Sequence, residues 1–510
     1  MCNIADSGRH PYNTVMSHTE SLNIISVLFD SWRWDGLGCA GALPAVRTPN
    51  IDALAGKGTR FERAFCSCAL CGPSRMSLST GRYMHTHRAR WNDVPMGAGE
   101  VVDAEYFNDL GYQTAMIGKT HFCPPDDHHG YQIYLCQDGR PRVDPRNIYP
   151  HYLRRMGYSE DDVANHDKPA TRFSDEAKRL EENGEFWGYH YPVRIPAEHS
   201  ESRFVTDLAL DYLARSMREP FFLHLSYLRP HPGWGLSERY FRRFDPADAP
   251  DANRTQAELD HATDFFLHFR DERGARAFDN ELYRRQVWTC YLGLMAELDD
   301  MIGTLMDSLK KSGLMDRTLI VLSSDHGCYL GDHWMHQTEG FYDCQVRVPL
   351  IVCHPEYRRA AGTVGRLVET VDILPTLLES AGSEAHAAIQ GRSLMPLIRG
   401  EEPNGDVDEA HAEWDFRYYA SRAAAGLGVA ESQGAMIRSP RYKLNHYTGL
   451  PEELYDLRDD PGELRNLASS DEYKPVADEL RMRLLQWRMS TDDPTPRLSS
   501  EFKLPGSIEV

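Results

Sequence analysis

Asn23-Ile-Ile-Ser-Val-Leu-Phe29 is followed at once by Asp30-Ser31. The run is short, mostly apolar and partly β-branched, and it stops on a carboxylate. It reads as a buried strand of a parallel sheet. Asp30 and Ser31 then fall at the strand's carboxyl end, where open α/β sheets place their ligands.

The same pattern recurs along the chain. Gln113-Thr-Ala-Met-Ile117 runs into Gly118-Lys119-Thr120-His121, and Pro220-Phe-Phe-Leu-His-Leu-Ser-Tyr227 runs into Arg229-Pro-His231-Pro-Gly. Thr318-Leu-Ile-Val-Leu322 runs into Ser323-Ser324-Asp325-His326-Gly327. In a parallel sheet all carboxyl ends share one edge, so these groups can converge although they are far apart in sequence. Two aspartates with a histidine suit a divalent metal; carboxylates favour calcium, magnesium or manganese, and imidazole tilts toward manganese or zinc.

Between the first two strands lies Cys71-Gly-Pro-Ser-Arg75-Met-Ser-Leu-Ser-Thr-Gly81-Arg82. A helix starting near Pro73 puts Cys71 at its amino end, where backbone N–H groups and the helix dipole favour negative charge. Arg75 at i+4 and Arg82 at i+11 are both expected on the cysteine's side. Cys66, Cys68 and Cys71 form C-x-C-x-x-C, which invites a zinc reading, but no second pair stands at zinc-site spacing.

The remaining texture is that of a large α/β chain. Helices are expected at 104–110, 202–215, 282–309, 372–380 and 476–489, with further strands at 61–65 and 348–352. Residues 123–198 read as a long irregular insertion. Short alternating runs after about residue 400 predict a small antiparallel sheet before the terminal helix. The expected organisation is a polar extension over 1–20, a catalytic domain over 21–400, and a smaller subdomain over 401–510.

The chain has 510 residues, 41% hydrophobic and 26% charged, enough for a large buried core. A net charge of −20 argues against a nucleic-acid partner. No apolar run approaches the roughly 20 residues that span a bilayer. Eleven cysteines without regular spacing and a polar amino terminus lead us to expect reduced thiols and a cytoplasmic location.

These residues together resemble the type I sulfatase family. Cys71-x-Pro73-Ser74-Arg75 continuing to Thr80-Gly81-Arg82 is similar to its signature, in which the cysteine is oxidised to Cα-formylglycine by a maturation enzyme. Asp30 matches the amino-terminal metal aspartate, and Gly118-Lys119-Thr120-His121 the second motif. Arg-Pro-His231-Pro matches the third, and Ser324-Asp325-His326-Gly327 with Leu330-Gly-Asp332-His333 the carboxyl-terminal metal motif. Within the family the chain is most similar to the phosphonate monoester hydrolase and arylsulfatase branch.

The resemblance implies an alkaline-phosphatase-like α/β fold, one Ca2+ or Mn2+ held by Asp30, Cys71, Asp325 and His326, and a homotetramer. It implies hydrolysis of sulfate monoesters through a covalent sulfo-enzyme intermediate. One hydroxyl of hydrated formylglycine attacks sulfur, and elimination from the other expels sulfate. Arg75 and Lys119 would neutralise charge, His121 would act as base, and His231 would contact the substrate or protonate the leaving oxygen. The same machinery would serve a phosphonate monoester hydrolase or phosphodiesterase. A non-catalytic anion-binding member is a third reading.

Three positions depart from the pattern. Ser31 stands where many sulfatases have an aspartate and phosphonate hydrolases a glutamine. Thr338 stands where the family has a lysine, with His336 or Gln337 as the expected compensation. Thr86 is aligned with an asparagine of the phosphonate hydrolases. Lys119 and His121, by contrast, are sulfatase-like.

Overall fold

Strand β1 (Asn23–Phe29) lies inside an eight-stranded sheet and is buried along its whole length. The computed structural model describes residues 21–124, 127–137, 147–166, 192–357, 362–384, 386–401 and 408–492. The other strands of this sheet are β2 (Thr59–Phe65), β3 (Gln113–Gly118), β4 (Ile133–Cys136), β5 (Phe221–Ser226), β6 (Thr318–Ser324), β7 (Arg347–Cys353) and β8 (Thr363–Glu369). Their order is β4-β3-β5-β1-β6-β7-β2-β8. β7 alone runs against its neighbours, β6 and β2. The sheet is therefore mostly parallel, as expected.

The near-continuous hydrophobicity of β1 follows from its position, because helices cover both faces. Ile25, Val27 and Phe29 pack into one core with Val287, Trp288, Leu298 and Leu305 of the long helix Glu281–Lys311. Ile24 and Leu28 point the other way, into a core with Met76 and Leu78 of the Cys71–Thr80 helix and Leu374 and Leu377. Each such side chain, fully buried, contributes about 2 kcal/mol. A two-residue period on a strand with two cores demands apolar residues on both faces.

A second, antiparallel sheet contains β9 (Ala410–Asp415), β10 (Gln433–Arg438), β11 (Tyr442–Tyr447) and β12 (Glu453–Asp456), in the order β12-β11-β10-β9. The terminal helix Lys474–Thr491 covers it through Leu480, Leu484 and Trp487 against Ile437, Leu444 and Leu454. Glu413 N–H donates to Ser67 O at 2.8 Å, tying β9 to the segment that leads into Cys71.

One expectation needs correction. The 123–198 stretch is not wholly irregular: Ile133–Cys136 adds a parallel edge strand beside β3, and Tyr149–Arg155 and Glu160–Ala164 are helical. Four residues are too few for a strand to announce itself by periodicity. The terminal extension 1–20 and residues 125–126, 138–146 and 167–191 of the insertion lie outside the described residues. Among the described residues, no helix is long and apolar enough to cross a membrane.

Candidate active site

The four strands whose ends carry chemistry are neighbours in the sheet, in the order β3-β5-β1-β6. Asp30 follows β1, Lys119 follows β3, Asp325 follows β6, and His231 lies in the loop beyond β5. Parallel pairing fixes their level along the edge. Leu28 stands opposite Ser226 of β5 and Ser323 of β6, and Asp325 N–H donates to Phe29 O at 3.1 Å.

Cys71 is the first residue of a helix that ends at Thr80, every residue of which is buried. The segment enters extended at Leu70, and Gly72 N–H donates to Asn92 Oδ1 at 2.9 Å. Ser74 Oγ donates to Asp325 O at 2.6 Å, locking the first turn against the end of β6. The amino end of the helix thus faces the sheet edge, with its dipole positive toward the carboxylates.

Asp30, Cys71, Asp325 and His326 are all buried and offer ligand atoms within 4.8 Å of one another. Cys71 Sγ is 3.1 Å from His326 Nε2. Arg75 bridges the two carboxylates, Nη2 donating to Asp30 Oδ2 at 3.0 Å and Nε to Asp325 Oδ2 at 2.8 Å. Lys119 Nζ lies 2.5 Å from Asp30 Oδ2. Ser31 has φ +67; its N–H donates to Asp325 Oδ1 at 3.1 Å and its hydroxyl to Asp30 Oδ1 at 2.9 Å.

The charges explain one another. Burial would raise the Asp30 carboxyl, but Lys119 and Arg75 hold it well below its usual range. Burial and the Asp30 charge push Asp325 up. Burial would lower His326, yet Asp325 and Cys71 hold its imidazole up to about 10. Two carboxylates with an imidazole and a thiol in so small a buried volume fit a divalent cation, whose charge would relieve the carboxylates' mutual repulsion.

A cavity of about 290 Å3 opens on this cluster. Cys71, Lys119, His121 and His231 line it, with Asn92 and Trp91 on one side and Arg273, Gln337, Thr338 and Glu339 on another. His166 and Glu201 form a further wall, where Glu201 pairs with Arg229 at 2.8 Å. His121 is held at φ +56. Burial and Lys119 push His231 down to about 3, so its ring is neutral near pH 7. Its Nδ1 donates to Pro232 O at 2.8 Å, which leaves Nε2 as an acceptor. A larger groove of about 660 Å3 runs along the terminal helix, but it is mostly apolar and holds none of these groups.

Several readings change here. Arg82 does not join the cluster: Gly81 at φ +65 ends the helix, and Arg82 turns away to Glu100 at 3.1 Å. His336 is not at the cavity; it is buried against Phe278 and Trp234 at ring separations of 5.0 and 6.1 Å. Gln337 and Thr338 do line it. Thr86 lies behind the helix, donating to Thr491 O at 2.9 Å, and the asparagine in the cavity is Asn92. The C-x-C-x-x-C zinc reading fails too, because Cys66 and Cys68 lie outside the ligand cluster. Asn92 and Arg273 carry no motif signal in the sequence, and the helix before Arg273 marks only the burial of Phe265 and Phe269.

The Sulfatase family pattern matches residues 22–383, more than half of the chain, and the pattern described as N-sulphoglucosamine sulphohydrolase, C-terminal, matches 331–490. The chain belongs to the sulfatase family. The chain is 32% identical over 506 residues to the multifunctional alkaline phosphatase superfamily protein PehA of Trinickia caryophylli, covering 93% of this chain and 96% of that one. It is 28% identical over 484 residues to an arylsulfatase of Clostridium perfringens, covering 91% and 94%. The crystal structure of the phosphonate monoester hydrolase of Agrobacterium radiobacter superposes with a TM-score of 0.79 at 29% identity, covering 92% and 96%. The fold is alkaline-phosphatase-like, and the protein is a hydrolase of that superfamily.

Proposed function

We propose that this sulfatase-family protein hydrolyses sulfate monoesters, using residue 71 as Cα-formylglycine and one divalent cation, Ca2+ or Mn2+. Asp30, residue 71, Asp325 and His326 would hold the cation, which supplies positive charge to polarise oxygen and stabilise negative charge. Conversion of Cys71 requires a maturation enzyme as a partner. The observation that carries the preference for sulfate is the Lys119–His121 pair on the cavity wall beside Cys71.

The chain's own groups have distinct tasks. Arg75, bonded to both carboxylates, keeps them ionised and in place for the cation. Lys119, at the mouth of the cluster, offsets the charge of the transferring group and lowers the cost of its approach to Asp30. His121 accepts a proton from residue 71. His231, neutral and with Nε2 open as an acceptor, receives a hydrogen bond from the substrate side. The walls formed by Trp91, His166 and Tyr419 limit water and set the shape of the alcohol that fits.

A second reading, phosphonate monoester hydrolysis, is favoured by the similarity to the Agrobacterium enzyme and by Asn92 in the cavity. Parallel kinetics on 4-nitrophenyl sulfate and phenyl 4-nitrophenyl phosphonate decide between them. A higher kcat/KM for the sulfate ester is expected; a preference for the phosphonate by orders of magnitude would reverse the assignment.

A further inference from the structure

The cavity is lined by cations that differ in how they are bonded. Lys119 is engaged with Asp30 at 2.5 Å, at the mouth of the ligand cluster. Arg229 is engaged with Glu201 at 2.8 Å and with Gly233 O at 2.7 Å. Both come from the β3 and β5 side of the sheet edge. Arg273 reaches the same cavity from elsewhere, just after the helix Asp264–Glu272, beside the loop that follows β6.

Arg273 is positioned but not saturated. Its Nη2 donates to Gln337 Oε1 at 2.6 Å, and its guanidinium carbon stands 5.8 Å from the centre of the Tyr419 ring. Nε approaches Glu339 Oε2 at 3.3 Å, yet neither atom has a hydrogen-bond partner among the described residues. The pair is close but misaligned, so the ion pair is weaker than its distance implies. The Arg273 side chain keeps 23% of its surface accessible, whereas that of Glu339 keeps 1%.

The supporting loop is built for placement. Glu339 has φ +82, a conformation that side-chain-bearing residues rarely adopt. Tyr419 hydroxyl donates to its Oε1, and its own N–H donates to Ala69 O at 3.0 Å, two residues before Cys71. Arg273 is thereby fixed relative to the nucleophile through Glu339 and Ala69. Strain held in this way marks a position that other interactions determine. Thr338, which lines the cavity between Gln337 and Glu339, carries no charge.

We infer that Arg273 grips the anionic group of the substrate from the β6 side of the cavity, with Gln337 and Glu339 as its positioning residues. A planar guanidinium held by neighbours presents two parallel donors to a tetrahedral oxyanion without further ordering. Glu339 tunes the grip: its buried carboxyl offsets part of the Arg273 charge when no substrate is bound. The inference rests on the ester-hydrolase reading only for what the oxyanion is attached to.

Inorganic sulfate titrated into metal-loaded protein by calorimetry tests this without turnover. Arg273→Met is expected to weaken sulfate binding by about 10- to 100-fold, the loss typical of a charged hydrogen bond, with Arg273→Lys recovering part of it. A merely structural Arg273 would lower the melting midpoint and leave sulfate affinity within twofold, and that result overturns the assignment. So does a wild-type protein with no measurable sulfate binding. Should Arg273→Met fail to fold, Glu339→Gln decides: it keeps the Tyr419 bond and removes the offsetting charge, so sulfate should bind several-fold tighter. Unchanged or weaker binding there counts against Arg273. Wild-type protein that binds sulfate through Arg273 but cleaves no sulfate ester would overturn the proposed function and leave this assignment standing.

Discussion

Cys71 Sγ lies 3.1 Å from His326 Nε2, while His326 Nδ1 donates to Gly327 O at 2.9 Å. The carbonyl can only accept, so Nδ1 keeps its proton and Nε2 is the position that a metal would take. With Asp325 and Cys71 holding the ring up to about 10, a cation must displace the Nε2 proton. Metal affinity is therefore expected to rise with pH below that value, by up to about tenfold per unit. Calorimetric titration with Ca2+ or Mn2+ in buffers of different ionisation enthalpy should show proton release, and pH-independent binding without release would contradict it.

Arg75 replaces part of the cation's charge, since it is the group bonded to both Asp30 and Asp325. Removing it leaves two buried carboxylates without that partner. Arg75→Met should cost about 3 to 5 kcal/mol of stability in chelator. Saturating metal should restore much of this. Urea denaturation with and without EDTA measures both, and equal losses in the two conditions would show that Arg75 and the metal do not share the carboxylates.

Residue 71 tests the nucleophile directly. Peptide mass spectrometry of protein made with a formylglycine-generating enzyme should show a loss of about 18 Da at Cys71, from replacement of the thiol and one hydrogen by a carbonyl oxygen. Cys71→Ala should abolish ester hydrolysis. Turnover surviving in that variant would move the nucleophile elsewhere.

Gly118 sets the height of Lys119 at the sheet edge. It has φ +108, and a Cβ there would stand 1.8 Å from Ser226 O of β5. Gly118→Ala must push β3 from β5 and carry Lys119 away from Asp30. A loss of about 3 kcal/mol is expected. It should come with a fall in kcat/KM larger than unfolding explains, both readable from thermal melts and initial rates.

Glu297, on the long helix behind the Glu201–Arg229 wall, gives the pH dependence of stability a definite sign. Burial pushes its carboxyl from 4.5 up to about 7, against Ser200 and Arg229, which pull it down. The folded state holds the proton more tightly than the unfolded state, so this group's contribution falls as pH rises from about 4.5 to 7. Glu297→Gln should remove that decline, gaining about 2 to 3 kcal/mol at pH 8.5 relative to pH 5. Melts of both proteins at the two pH values check it; a parallel shift at both would refute it.

Much of this molecule is legible from local pattern. Strands buried on both faces cannot avoid a continuous apolar run, and the polar residue after each run marks its carboxyl end. Asp30, Lys119 and Asp325 were visible for that reason. His231 and His121 were visible through the short motifs around them, and Cys71 through the proline and arginine that follow it. The antiparallel carboxyl-terminal sheet showed itself by alternation.

What escaped depends on approach between distant segments. Arg273 and Asn92 stand in no motif, and only the packing of their segments around the β6 loop and the Cys71 helix brings them to the cavity. His336 was one residue from Gln337, yet its ring turns inward to Phe278 while Gln337 faces the cavity, a choice made by the aromatic core. Helical geometry continued past Thr80 would put Arg82 on the cysteine's side, but Gly81 ends the helix first. Asp30-Ser31 at the end of β1 declared by itself that chemistry lies at this edge, because strand and ligand site are local to one segment. That β3, β5, β1 and β6 are neighbours, and that Arg75 spans the carboxylates of two of them, was decided by the tertiary structure, since strand order is set by packing across the whole sheet.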